Sequence, residues 1–318
     1  NNISYTDFGL KLGNYSKLTI IVDIIRSFFR VIKYLKDEKI DIVHTNDLRI
    51  NLIFLVASKF VSTKHLWHQR TSMPQSALGQ KIYLLSDKFI TISEFISSQI
   101  INPFYSKTTL VISNPVESFL ASSEVLDIRE KRFSNKIPTL LFLSNMTHQK
   151  NPDFFIKIAK NLSLNHPDCF KFIMVGRIDS EIKRIVDIEK KIGNLDSSFE
   201  ILGFQENIKD ILLKSDYLIA PAKNDGFGRI LVEAMRAGVL VLAYSSGGYT
   251  EIIKNNKNGI LIKNLDDKLF ISSIFKIQND SVLYSNLLHK AHSDSSMNYS
   301  VVKHAQIINT IYLSMLED

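Results

Sequence analysis

The chain has 318 residues, enough for two domains that each bury a core of ordinary size. Hydrophobic residues make up 45% and charged residues 22%, a balance that excludes a disordered chain, and no apolar run reaches the roughly 20 residues of a membrane-spanning helix. A formal net charge of +7 favours anionic partners, but no dense Lys/Arg block interleaved with aromatics is present, so nucleic acid is not an expected partner.

The single cysteine, Cys169, excludes an internal disulfide framework and a multi-cysteine zinc site, and is expected to fill core in a protein of the reducing cytoplasm. The opening "NNISYTDFG" has neither an initiator Met nor a signal-peptide pattern. Leu18 to Lys39 carries apolar residues at helical spacing, and "IDIVHT" follows as a short β-rich run. The alternation continues with "NLIFLVASKF" as helix, "KHLWHQR" as strand, "SALGQKIYLLS" as helix, "KFITIS" as strand, "EFISSQIIN" as helix and "TLVISNP" as strand. Such alternation predicts βαβ units and a parallel sheet covered by helices.

From Ser118 to Pro138 the pattern lapses into a polar, charged stretch read as an interdomain connection. A second series then runs "TLLFLS" strand, "NPDFFIKIAKNLSLNHP" helix, "FKFIMVG" strand, "SEIKRIVDIEKKIG" helix, "FEILGF" strand, "ENIKDILLKS" helix, "DYLIAPA" strand, "GRILVEAMRAG" helix and "VLVLAY" strand. "GGYTEIIKNN", a strand "NGILIK" and helices complete it. The expected division is residues 1–120 as an N-terminal Rossmann-like domain, 121–137 as linker, 138–294 as a second Rossmann-like domain, and 295–318 as a helix returning to the first. Two doubly wound α/β domains imply a cleft between them, with ligand at the carboxyl ends of the strands.

"KNDGFG" lies at such a strand end, just before a helix that begins near Arg229. The free N–H groups there, with Gly226 and Gly228, form a seat for a phosphate. An acid beside a bound phosphate, Asp225, then serves a different part of the ligand, and hydroxyls of a sugar suit it. Glu233 stands among Ile230, Leu231, Val232, Ala234 and Met235, where an ionised group is costly unless partnered. Two readings stay open for it: a ligand contact, or a solvent-facing acid paired with Arg229 or Arg236. The "SSGGYTEII" turn offers further amides to a second phosphate or serves only as a turn.

The stretch from Pro221 to Ile262 resembles the signature region of the retaining, nucleotide-sugar-dependent glycosyltransferases of GT-B fold, family-four type, in which a Glu, seven residues and a second Glu precede a Gly-Gly turn and an Asn-Gly strand. The resemblance implies two Rossmann-like domains facing across a cleft, with the donor held by the second. It implies that Asp225, in place of the family's first Glu, contacts the donor sugar and that Glu233 binds the ribose. Gly226, Phe227 and Gly228 then face the sugar or diphosphate, and Gly247 and Gly248 flank the donor. In "FLSNMTHQKN", Lys150 matches the cation on the leaving diphosphate. Asn145 stands where the family has Arg, so either another cation such as Arg70 or Arg177 substitutes or activity is reduced. Gly203, Phe204 and Gln205 flank the base. His68 corresponds to the family's cleft histidine, with His44 as the alternative.

The implied activity is transfer of a hexose-type sugar, with retention, from a UDP- or GDP-sugar to a hydroxyl of a glycan or lipid-linked oligosaccharide in bacterial surface polysaccharide synthesis, such as O-antigen or capsule. Neither cofactor nor metal is expected. The setting is cytoplasmic, with peripheral contact of basic, aromatic "RSFFRVIKYLK" on the inner membrane face as a secondary expectation. Other classes stay open: a partner subunit that binds nucleotide sugar or glycan without turnover, and a same-fold epimerase or hydrolase. The family's first strand and glycine-rich loop have no counterpart here, so an incomplete N-terminal domain is expected.

Overall fold

A computed structural model of the protein describes residues 17–46, 48–72, 81–100, 109–117, 121–133, 136–178 and 198–317. The chain divides into two compact units, Asn1–Ser113 with His304–Asp318, and Asn114–Lys303. Among the described residues no helix is long and apolar enough to cross a membrane.

In the first unit, α1 (Lys17–Asp37) and α2 (Leu48–Ser58) flank β1 (Ile42–Thr45), and β2 (Lys64–Gln69), β3 (Lys88–Thr91) and β4 (Leu110–Val111) follow. The four strands lie in chain order and pair in parallel. Val31 and Leu35, one helical turn apart on α1, pack with Ile53 and Ala57 of α2 and Val43 of β1. On β2 the two-residue period sends Trp67 to one face, with Leu55, Tyr83 and Phe89. It sends Leu66 to the other, where Ile90 and Ile112 meet Ile308, Ile311 and Met315 of the terminal helix, Val301–Glu317. Burial on both faces is why "KHLWHQ" does not alternate in polarity.

In place of the expected helix "SALGQKIYLLS", the described part forms a 3-10 turn, Ile82–Leu85, and "EFISSQIIN" shortens to α3 (Glu94–Ser97). The expected helix over 180–193 lies outside the described residues.

The second unit is a six-stranded sheet built from β5 (Thr139–Leu143), β6 (Lys171–Val175), β7 (Phe199–Gly203), β8 (Tyr217–Ala220), β9 (Leu240–Tyr244) and β10 (Ile260–Ile262). The order is β10-β9-β8-β5-β6-β7, and every pair is parallel. Strands β5 to β7 wind outward in one direction and β8 to β10 in the other, so the winding reverses between β5 and β8. A helix α4 (Ser123–Arg132) precedes the sheet; α5 (Pro152–Asn165), α6 (Lys209–Lys214), α7 (Arg229–Arg236) and α8 (Tyr249–Ile252) are interleaved with its strands; α9 (Asp267–Gln278) and α10 (Ser281–Asn298) follow, before the terminal helix α11 (Val301–Glu317). Phe154, Phe155, Phe172, Phe270 and Leu287 belong to the main core cluster.

The segment expected as a linker, 121–137, is instead largely α4, part of this unit. Ser122 caps its start, Leu126 enters the core, and Arg129 donates to the carbonyl oxygens of Ser215 (2.7 Å) and Leu212 (2.8 Å) at the end of α6. A charged residue is buried there because helix-end carbonyls accept its protons. Cys169 is exposed rather than in the core, because it sits in the turn between α5 and β6.

Candidate active site

Ligands of open α/β sheets sit where the winding reverses, beyond the carboxyl ends of the strands. In the second unit a cavity of about 520 Å³ opens at that point. Leu143, Ser144 and Asn145 line it from the end of β5, Val175 and Gly176 from β6, Phe204, Gln205 and Ile208 from beyond β7, and Asp225, Arg229, Ile230 and Glu233 from the turn after β8 and α7. Lys150 reaches it from the loop ahead of α5.

Backbone bonds clasp the loops around this opening. The Lys223 amide donates to Gln149 O (2.9 Å), and the Gly248 amide to Asp225 O (2.8 Å). Asn224 donates its amide to Ser246 Oγ (3.0 Å), whose hydroxyl donates to Asn224 Oδ1 (3.0 Å). Two glycine turns interlock here: a Cβ at Gly247 would lie 2.4 Å from Asp225 O, and one at Gly248 would lie 2.7 Å from Gly226 O. Gly228 has φ +96°, and a Cβ on it would strike the Tyr249 ring at 2.6 Å, so this turn can close only over a glycine.

The polar groups form two pairs. Lys150 Nζ binds Asp225 Oδ2, which also accepts from the Tyr249 hydroxyl (3.1 Å). Arg229 Nε donates to Glu233 Oε1 (2.8 Å), one turn along α7. Glu233 is 7% exposed, and burial raises its pKa against the opposing pull of Arg229. Burial pushes the Tyr249 phenol well above its ordinary value, and the Asp225 carboxylate adds to the shift. Tyr249 is therefore a neutral donor.

The structure thus brings Asn145, Lys150, Phe204, Gln205, Asp225 and Glu233 around one cavity. Glu233 joins features of both open readings, since it is buried on the cavity wall and paired with Arg229. Arg177 lies over the Phe204 ring, 4.9 Å from its centroid, and the Gly203 carbonyl accepts from the Gly176 amide (2.8 Å). The expectation for the glycine amides is corrected in part. The Gly248 amide is occupied by Asp225 O, and the Phe227 amide faces Asp225 Oδ1 (3.5 Å), so neither is turned to a ligand phosphate. Gly247 serves close packing rather than lining the cavity. Sequence reasoning missed Tyr249 as the partner of Asp225, and did not weigh Arg229 as a cavity cation in place of the family's Arg. The position of Arg229 beside the Gly-Phe-Gly turn was the available signal.

His44, His68 and Arg70 belong to the first unit. His68 is wholly buried near the end of β2, and the strand stops at Gln69, so Arg70 lies just beyond it. Burial, followed by the Arg70 charge, holds His68 down to about 2 and His44 down to about 4. Both imidazoles are neutral at ordinary pH.

These features define a polar cavity at the winding reversal of a doubly wound sheet, and the family follows from comparison. The family model for glycosyl transferases group 1 matches residues 126–293, over half of the chain, and the chain belongs to that family. It is a glycosyltransferase, and its units have the parallel-sheet, Rossmann-like fold of GT-B structures. The chain is similar to the Escherichia coli UDP-Gal:alpha-D-GlcNAc-diphosphoundecaprenol alpha-1,3-galactosyltransferase, 25% identical over 324 residues covering 94% of this chain and 81% of that protein. It is also similar to the Staphylococcus aureus capsular polysaccharide biosynthesis glycosyltransferase CapH, 24% identical over 294 residues covering 90% and 80%. Among solved structures, Anabaena HepE in complex with UDP-glucose superposes with a TM-score of 0.77 at 18% identity, covering 91% of this chain and 82% of that one.

Proposed function

We propose that this glycosyltransferase moves a hexose-type sugar, with retention and without a metal, from a nucleoside-diphosphate sugar to a hydroxyl of a lipid-linked or growing bacterial surface glycan. The observation that carries the reading is the cavity at the winding reversal, where Lys150, Asp225, Arg229 and Glu233 stand together. Glu233 accepts from the ribose hydroxyls. Lys150 and Arg229 meet the diphosphate, and Asp225 meets the sugar. The bond from the anomeric carbon to the phosphate oxygen breaks, its electron pair stays on that oxygen, and Lys150 stabilises the charge. The acceptor hydroxyl forms the new bond on the same face and passes its proton to the departing phosphate. The names of the Escherichia coli and Anabaena proteins support a UDP-sugar ahead of a GDP-sugar, and the former supports a polyprenyl-diphosphate acceptor. Exposed Ile25 and Phe29, interleaved with Arg26 and Arg30 on α1, support contact with an anionic membrane face.

Calorimetry with UDP, GDP and their sugars tests the reading, followed by anomeric analysis of product formed on a polyprenyl-diphosphate-sugar acceptor. Binding of neither diphosphate, or a product of inverted anomeric configuration, overturns it. One observation favours a partner subunit without turnover: Lys150 and Asp225 already satisfy each other. Substituting Asn145→Arg separates the readings, because it raises transfer at an impaired but live site and leaves a scaffold silent.

A further inference from the structure

At the amino ends of β5 and β8, away from the active-site cavity at their carboxyl ends, the second unit holds another cavity, of about 250 Å³. Pro138 and Asp216, each just ahead of one of those strands, line it, as does Tyr217, the first residue of β8. Val125, Ile128 and Leu213 give it apolar walls. Phe133 and Tyr284 add a stacked pair of rings, 3.8 Å between centroids.

The charged groups of this cavity are already held. Buried Arg129 gives Nη1 and Nη2 to the carbonyls at the end of α6 and keeps its positive charge. Asp216 is matched by Lys136, whose Nζ lies 3.0 Å from Oδ2, and by the Thr139 amide (2.8 Å). With Arg129 and Lys136 set against Asp216, the lining carries a positive charge in excess. Tyr217 is the unmatched member. It is 1% exposed, and its hydroxyl is shielded from water with no hydrogen-bond partner among the described residues. Burial, helped by the nearby Tyr284 phenol and Asp216 carboxylate, pushes its pKa up, so the hydroxyl stays neutral and free to donate. A buried hydroxyl without a partner is costly and uncommon in folded proteins, and phenylalanine would fill the same place without that cost.

We propose that this cavity binds a small aromatic monocarboxylate, its ring against Phe133 and Tyr284 and its carboxylate accepting from the Tyr217 hydroxyl beside the Arg129 charge. The volume suits one ring with a short acid arm, since an apolar cavity of about 150 Å³ already holds benzene. The aromatic and aliphatic walls attract the ring, and the excess positive charge selects an anion over a neutral molecule of the same shape. The length of β5 and β8 separates this ligand from the active-site cavity. It is therefore neither donor nor acceptor of the transfer, and it binds alongside UDP.

The test follows 4-fluorobenzoate by fluorine NMR on the full chain, with 4-fluorotoluene as the neutral counterpart. The expected result is saturable binding with a Kd of about 1 mM or tighter, at least about tenfold weaker binding of the toluene, and no displacement by UDP. Tyr217→Phe should weaken the benzoate about 10- to 100-fold, the scale of a hydrogen bond to a charged group, and leave the transfer rate unchanged. Ile128→Trp, at an exposed position on the wall, should fill the space and abolish binding. No saturable binding by the parent overturns the proposal, and so does release of the probe by UDP, which assigns it to the active-site cavity. Equal affinity for the toluene, or an unchanged affinity in Tyr217→Phe, overturns recognition of a carboxylate by the hydroxyl. Undiminished binding in Ile128→Trp overturns the site itself, whether or not Tyr217→Phe folds.

Discussion

Glu233→Gln separates a ligand-binding acid from a structural one, because the two roles predict opposite results. The substitution keeps shape and removes charge. In the free protein the ionised carboxylate is unfavourable, since burial raises its pKa, so its contribution to stability is present below the unfolded pKa and lost as pH rises through the folded one. Removing the charge relieves that cost at neutral pH. What is lost is an ion pair whose Arg229 side chain is 68% exposed, a pair worth about 1 kcal/mol at most. The free variant should therefore stay within about 1 kcal/mol of the parent in urea unfolding. Nucleotide binding should suffer more, because a charge-assisted hydrogen bond contributes about 1.5–3 kcal/mol and a neutral one about 0.5–1.5. The difference corresponds to an affinity for UDP about tenfold weaker, and up to about a hundredfold if two ribose hydroxyls share the carboxylate. Calorimetry measures it. Unchanged affinity, or a stability loss above about 3 kcal/mol with affinity intact, would refute the ribose role and return Glu233 to scaffold.

Lys150→Met should lower kcat by about 10²- to 10³-fold while weakening binding of the intact UDP-sugar far less, because the leaving charge grows only as the bond to the sugar breaks; steady-state kinetics in which kcat holds would sink this role. Gly228→Ala should destabilise the protein by about 2–5 kcal/mol in urea titration, combining a positive φ with a methyl pressed on the Tyr249 ring, and should abolish transfer as Asp225 loses its partner. The first unit should weaken in acid. Fully buried His65 and His68 are held down to about 4 and about 2, so below about pH 6.5 the unfolded chain binds more protons and stability falls, by up to about 1.4 kcal/mol per pH unit for each. Fluorescence of Trp67, buried in that unit and the only tryptophan, reports the midpoint, and a midpoint that stays flat from pH 6.5 to 5 would contradict it.

The second unit was legible because its strands are unbroken apolar runs and its turns are marked by glycine. Asp225, Glu233 and Lys150 could be named from spacing and resemblance, since each lies a few residues from such a marker. What stayed hidden depended on partners distant in the chain. Tyr249 reaches Asp225 across 24 residues, and Tyr312 reaches His44 across 268, with no periodicity to announce either. The polar run around Arg129 read as linker because nothing local shows that carbonyls 83 and 86 residues on will accept its protons. Occupation of the Gly248 amide is equally a tertiary fact, set by how closely two turns approach.

The second unit is one uninterrupted segment, Asn114–Lys303, whereas the first needs residues from both sides of it. A ribosome therefore delivers all of the second unit before it delivers Ile308, Ile311 and Met315, which cover Leu66, Ile90 and Ile112. Until the residues after Lys303 emerge, Leu66, Ile90 and Ile112 lack the helix that covers them, so the core of the first unit is completed from the far side of the second.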